Sequence, residues 1–118
     1  MGKVKVAIAT KGSNGLGDEV ADAFALAKTF TFATIEGNRV HVEVLNNPAV
    51  SLSHGQGRTV VQMLRDRGVG TVVASEFGLG ASALLVEYKI NKAIVRAGTK
   101  VNGVIRDELY KKRGGLFD

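Results

Sequence analysis

The sequence predicts an α/β fold: a five-stranded mixed sheet of spatial order 3-2-1-4-5, with strand two antiparallel to the rest and three helices flanking it. Three observations predict it. The N-terminal part holds three alternating or β-branched stretches, two of them joined by the tight turn Glu36, Gly37, Asn38. The remainder alternates helix-period stretches with short apolar ones, the pattern of strand–helix–strand crossovers. Such crossovers are right-handed in nearly all cases, which makes 3-2-1-4-5 the economical order.

Each element has its own signal. Lys3 to Thr10 alternates, and Ala7 and Ala9 keep its second face apolar, as a central strand requires. The loop KGSNGLG, Lys11 to Gly17, follows. Glu19 to Phe30 is ambiguous; Ala21, Phe24, Ala25 and Lys28 fit a short helix. Thr29 to Ile35 reads as strand two. In strand three, Val40, Val42 and Val44 alternate with Arg39, His41 and Glu43, giving one wet face. Pro48 ends the ladder. Helix one spans about Gly57 to Arg67 with Val60, Val61 and Leu64 on one face, and Gly68 stops it. Thr71 to Ala74 is a short buried strand. Helix two spans about Gly80 to Lys89 on a stripe of Ala81, Leu84, Leu85 and Tyr88, with Asn91 taking the left-handed turn after it. Strand five is Ala93 to Arg96. Thr99 caps helix three, whose face carries Val101, Val104, Ile105 and Leu109. There Asp107 and Lys111 are spaced to pair, and Lys111, Lys112 and Arg113 suit a helix C-terminus. Residues 1–113 form one expected domain, and 114–118 an expected disordered tail.

Composition bounds the chemistry. The 118 residues are 45% apolar, enough for one core. Without cysteine, the chain offers no disulfide, thiolate ligand or Cys nucleophile. A net charge of +5 favours anionic company or a lysine-rich solvated surface, and leaves nucleic acid open as a partner. No apolar run reaches the roughly 20 residues of a membrane span, and MGKVKVAIAT lacks a signal-peptide core, so the expected location is cytoplasmic.

In this topology strands one, three, four and five point the same way. Their following loops gather at the carboxyl edge of the sheet, where open α/β sheets bind ligands. Candidate binding residues there are Lys11 and Asn14 after strand one, and His54, Gly55 and Gly57 before helix one. Phe77, Gly78 and Gly80 before helix two complete them. Helix N-termini at such a rim favour an anion, and Lys11, Arg96 and Lys100 add charge. His54 is the candidate metal ligand; the alternative is a loop histidine bonded to backbone. The glycines also satisfy ordinary turn geometry. Glu76 is an acid, a ligand or a rim charge, and Phe77 and Leu79 wall a pocket or anchor their loop.

Several enzyme classes lack their motifs. The Walker and dinucleotide spacings are missing around Gly12, Gly15 and Gly17. Ser51, Ser53, Ser75 and Ser82 lack a nucleophile elbow. Strand one carries Val6 and Ile8 where a two-metal nuclease places carboxylates.

The residues resemble the dinitrogenase iron–molybdenum cofactor-binding family, small proteins and domains related to nitrogenase accessory factors. KVKVAIAT resembles the family's opening strand. NNPAVSLSHGQGRTVVQMLRDRGVGTVVASEFGLGASALL resembles its NPA…HGxG helix, its GVDVVI-like strand and its glycine-rich turn with a following alanine. VRAGTKVNGVI resembles its closing strand–GT–helix. The resemblance implies a ribonuclease H-like fold and a non-covalent, non-catalytic role in holding or carrying an anionic iron–molybdenum or iron–sulfur type cluster. Proteins that donate or accept the cluster are then the implied partners. His54, Gly55 and Gly57 match the HGxG loop. One segment departs: where many members carry an HFGRA-like run, this chain has AFALA, with Ala23 for His, Ala25 for Gly and Leu26 for Arg, and only Phe24 retained. The alternative function is an anion-binding regulatory module, for nucleotide or RNA, using the same glycine-rich rim; a phosphoryl or nucleic-acid hydrolase is the third.

Overall fold

A strand that is apolar on both faces belongs in the middle of a sheet. In the computed structural model, which describes the backbone of residues 3–112 and the side chains of residues 3–107, that strand is β1 (Val4–Thr10). Its Val6, Ala7, Ile8 and Ala9 are fully buried. It pairs antiparallel with β2 (Thr29–Glu36) and parallel with β4 (Thr71–Ala74). Outside these, β3 (Arg39–Asn46) pairs antiparallel with β2, and β5 (Asn91–Ile94) pairs parallel with β4. The order is β3-β2-β1-β4-β5, as the sequence predicts.

Alternation along the strands divides the core in two. One face presents Ala7, Ala9, Phe30, Phe32, Val72 and Ala74 to α1 (Gln56–Asp66) and α2 (Leu79–Glu87). The other presents Val6, Ile8, Ala33, Ile35 and Val73 to Val101, Val104 and Ile105 of α3 (Val101–Lys112). Val60, Val61 and Leu64 are the buried side chains of α1, and Ala81 and Leu85 those of α2. The expectations placed on Leu109, Lys111, Lys112, Arg113 and the 114–118 tail lie outside the described side chains and residues.

Four local expectations change. No helix forms between Glu19 and Phe30. Of the residues whose spacing fits a helix, Ala21 and Phe24 are buried, Ala25 is half-buried and Lys28 is exposed, and the backbone bonds of the segment go elsewhere. Ala21 N–H donates to Ala9 O, Val20 N–H to Thr99 O, and Gly98 N–H returns to Val20 O. These non-local bonds hold residues 19–21 extended at the carboxyl edge, and the strap runs on to residue 28 through a turn closed by Ala27 N–H to Phe24 O, because β2 must restart where β1 ends. β5 begins two residues before the expected Ala93, its register set by Thr71 facing Asn91. Lys89 (φ 60), not Asn91, takes the left-handed turn after α2. Its N–H donates to Val86 O and that of Ile90 to Leu85 O, the paired bonds of a Schellman motif. Lys100 rather than Thr99 directly precedes α3, and Asp18 O accepts the Val101 N–H.

Candidate functional site

Two helices begin side by side at the carboxyl edge, each after a glycine. Gly55 precedes α1 in the left-handed region (φ 74), and Gly78 precedes α2 in an extended conformation. Neither N-terminus receives a side-chain cap. The first N–H groups of a helix have no intrahelical acceptor, so Gln56, Gly57 and Arg58, and Leu79, Gly80 and Ala81, present theirs outward. The Gln56 side chain turns away and donates to Leu52 O at 2.8 Å. The two starts meet at Gly57, where a Cβ would make an ordinary van der Waals contact with the Ala81 Cβ at 3.5 Å.

Between the helix starts and the strap lies a cleft of about 310 Å³. The strap supplies Ala23, Phe24, Ala25 and Leu26; the helix starts supply Gly57, Gly78 and Ala81; Glu76 stands at the lip. One lining residue, Phe24, is aromatic, and other rings back it. Phe24 packs edge-on against Phe30 with centroids 5.8 Å apart, and against Phe77 at 5.0 Å. Two polar side chains hold the strap. Buried Asn47 donates its amide to Ala25 O and Ala27 O, each at 2.8 Å, while its Oδ1 accepts from Ala49 N–H. Ser75 Oγ reaches Ala21 O and Asp22 O, at 3.0 and 2.9 Å.

The sequence-predicted residues fall into two groups. Gly57 and Gly78 line the cleft, Phe77 does not line it but packs against Phe24, and Gly80 is exposed in the first turn of α2. Gly55 and exposed His54 precede α1. His54 does not line the cleft; its Nδ1 lies 3.4 Å from Ser53 Oγ. Lys11 and Asn14 lie apart, on a loop folded toward the α3 face, where Gly15 packs toward Val42 and Val44 of β3. Asn14 N–H donates to Asp18 Oδ2 at 2.9 Å. Lys11 Nζ and Lys100 Nζ converge on the Glu19 carboxylate at 3.2 and 3.4 Å. Lys11 first, then Lys100, hold that carboxyl below the ordinary glutamate range.

Sequence reasoning missed Asn47 and Ser75, and did not place Ala23, Ala25 and Leu26 against the glycines. The Asn-Pro step was one available signal, since an Asn before Pro initiates a side-chain-bonded turn. Ser75 carries no such signal.

The cleft combines unmet backbone donors with apolar walls. That suits an anion with a substantial non-hydrogen-bonding body. Among the described residues no three His, Asp or Glu side chains gather, and the chain has no cysteine. Such a donor set fits docking of a preassembled group. It does not fit construction of a coordination shell from protein side chains.

These features define the class: an α/β binding domain presenting glycine-led helix starts at the carboxyl edge of a mixed sheet. A model of the dinitrogenase iron-molybdenum cofactor family matches residues 3–109, and the chain belongs to that family. Among solved structures, a candidate NifB protein from Thermotoga, TM1290, assigned to the DUF35 family, is 31% identical with a TM-score of 0.70, over 93% of this chain and 90% of that one. The protein PH0822 is 25% identical with a TM-score of 0.75, over 90% of each chain. The apo form of the orange protein from Desulfovibrio gigas is 24% identical with a TM-score of 0.77, over 89% of this chain and 86% of that one, a likeness of fold. No curated protein matches the chain by sequence. Family membership suggests a cofactor-binding or carrier role. Among the described residues, no helix is long and apolar enough to cross a membrane.

Proposed function

We propose that the protein is a small non-enzymatic carrier of an iron–sulfur or iron–molybdenum type cluster, docked non-covalently in the cleft between the strap and the starts of α1 and α2. The observation that carries this reading is the pair of adjacent glycine-led helix N-termini without side-chain caps, beside a cleft walled by Phe24 and Leu26. The cluster is cargo. It arrives with its own inorganic sulfur, since the chain has no thiolate to contribute. The N–H groups of both helices accept its negative charge, each terminus contributing about 0.3–1 kcal/mol. Phe24 and Leu26 shield its body from water, and His54 swings in as a single side-chain ligand.

The AFALA run shapes this reading. With Ala23 and Ala25 in the strap, the wall offers no side-chain ligand or cation, so the grip falls to backbone. The rival use of the same rim, for a nucleotide or RNA, loses two of its cations: Lys11 and Lys100 are both occupied by Glu19.

The test is anaerobic titration of the full chain with a preformed cluster, followed by visible absorption, for wild type and His54→Ala. A saturable band in wild type that weakens in the variant is expected. Lack of any band in wild type defeats the cargo reading. Equal bands in both remove His54 as a ligand and leave the backbone cradle standing.

A further inference from the structure

The opposite edge of the sheet carries a second concavity, of about 680 Å³, lined among others by Lys3, Lys5, Arg39 and His41. Its origin is a mismatch of lengths. α1 ends at Asp66, and the next residue, Arg67, lies over the Phe32 ring at 4.8 Å while its Nη2 donates to Glu43 at 3.0 Å. Phe32 pairs in register with Ala7 and Glu43. The next row on the same face, Lys5–Thr34–His41, lies beyond the helix end. A further row brings Glu36 opposite Arg39, with Lys3 following Lys5 along β1. Where the helix stops, the face changes from apolar to basic.

The charges there are available. Among the described residues Lys3, Lys5 and Arg39 take part in no ion pair, and Glu36 is the one acid lining the cavity. At the carboxyl edge, by contrast, Lys11 and Lys100 are both engaged by the Glu19 carboxylate. We propose that this uncovered end of the sheet is a separate anion site that takes a compact polyphosphate group.

Spacing selects the ligand. Neighbouring strands stand roughly 4.8 Å apart and same-face residues roughly 7 Å apart, so the cations form a grid about 7 by 10 Å. One carboxylate cannot meet them all, whereas a short chain of linked phosphates can. Arg39 offers the planar fork that phosphate accepts in a bidentate way, and the lysines act as point charges. The volume lies in the usual range for small-ligand sites. Among the described residues no Phe, Tyr or Trp lines it, so no large aromatic ring there offers a platform for a base. Recognition therefore rests on phosphate and not on a nucleobase. This site and the cluster cleft share no lining residue, so either proposal can fail while the other stands.

The experiment is calorimetric titration of the full chain with sodium tripolyphosphate at low and at physiological salt. Lys5→Gln/Arg39→Gln is the test variant and Arg106→Gln, on exposed α3 surface, the control; circular dichroism checks that each is folded. Expected are saturable binding that falls steeply with salt, at least tenfold weakening in the double variant, and no change in the control. ATP binding as tightly as tripolyphosphate supports recognition of phosphate alone. Three results overturn the proposal: no saturable binding at low salt, equal weakening in test and control variants, or much tighter binding of a single-stranded RNA, which would make the patch a nucleic-acid surface.

Discussion

Gly78 offers the sharpest probe of the cluster cleft, because one substitution should move stability and binding in opposite directions. The residue precedes α2 at φ −72 and ψ 162, a conformation any residue adopts, and a Cβ there meets nothing within 4 Å. Gly78→Ser places a hydroxyl where it can accept from the Gly80 or Ala81 N–H. Against glycine, such a cap is worth a few tenths of a kcal/mol. Removing glycine also narrows the unfolded ensemble, worth about 0.4–1 kcal/mol. Together the variant should gain about 0.6–1.4 kcal/mol, a rise in Tm of roughly 2–6 °C for a chain of this length. The same hydroxyl occupies a donor assigned to the cargo. Loss of one hydrogen bond to a charged group costs about 1.5–3 kcal/mol, roughly 10- to 150-fold in affinity. Urea unfolding reads the first effect as a higher midpoint at unchanged slope. Anaerobic cluster titration reads the second. A midpoint that fails to rise refutes the uncapped geometry. A rise with unchanged cluster affinity refutes the use of these N–H groups.

Further outcomes follow from the strap and its anchors. Asn47→Ala strips partners from the Ala25 and Ala27 carbonyls and should cost about 2–4 kcal/mol in urea unfolding; a loss under about 1 kcal/mol would show that the strap does not depend on it. Phe24→Ala should cost about 3–5 kcal/mol, and a double-mutant cycle with Phe77→Ala should give a coupling of about 0.5–1.5 kcal/mol; strict additivity would mean the rings do not interact. Lys89→Gly should raise stability by about 0.5–1 kcal/mol by relieving the left-handed backbone after α2, and a fall would contradict that turn. Glu19 has its folded pKa lowered by Lys11 and then Lys100, so its contribution is present above the unfolded pKa and lost as pH falls through the folded value. Thermal melts in acid, below the ordinary glutamate range, should therefore drop more steeply for wild type than for Glu19→Gln; parallel profiles would contradict the bridge.

The sheet was legible because its signals are local. Val40, Val42 and Val44 alternate with charged residues, and Glu36 to Asn38 turns the chain within a few residues, so neither assignment needed a distant partner. Gly68 likewise ends α1 by a local rule, its N–H bonding Arg65 O. The misreadings share the opposite property. Residues 18–28 carry helical spacing, yet Ala9, Thr99, Asn47 and Ser75, all remote in sequence, decide their conformation. β5 opens on the exposed Asn91 and Lys92, so no apolar signal marks its start, and pairing with Thr71 of β4 sets it. For the site, glycines leading into helices were readable. That the strap would form the facing wall was not, because nothing in AFALA announces what Asn47 and Ser75 will hold in place.

The two edges of the sheet reach opposite solutions to holding an anion, and topology explains why. At the carboxyl edge four strands release loops, helices begin, and backbone N–H groups are left over; two of the cations there, Lys11 and Lys100, are paired with Glu19. At the amino edge of β1 the backbone is spent on the ladder, which runs in register to Val4–Ile35 and Glu36–Arg39, so attraction comes from side chains. Backbone donors act at short range and select by fit, whereas unpaired lysine and arginine act over about a Debye length and are screened by salt. Cluster binding at the cleft should thus vary little with ionic strength, while polyphosphate binding at the far edge should fall steeply. Added salt separates the two within a single sample, before any residue is changed.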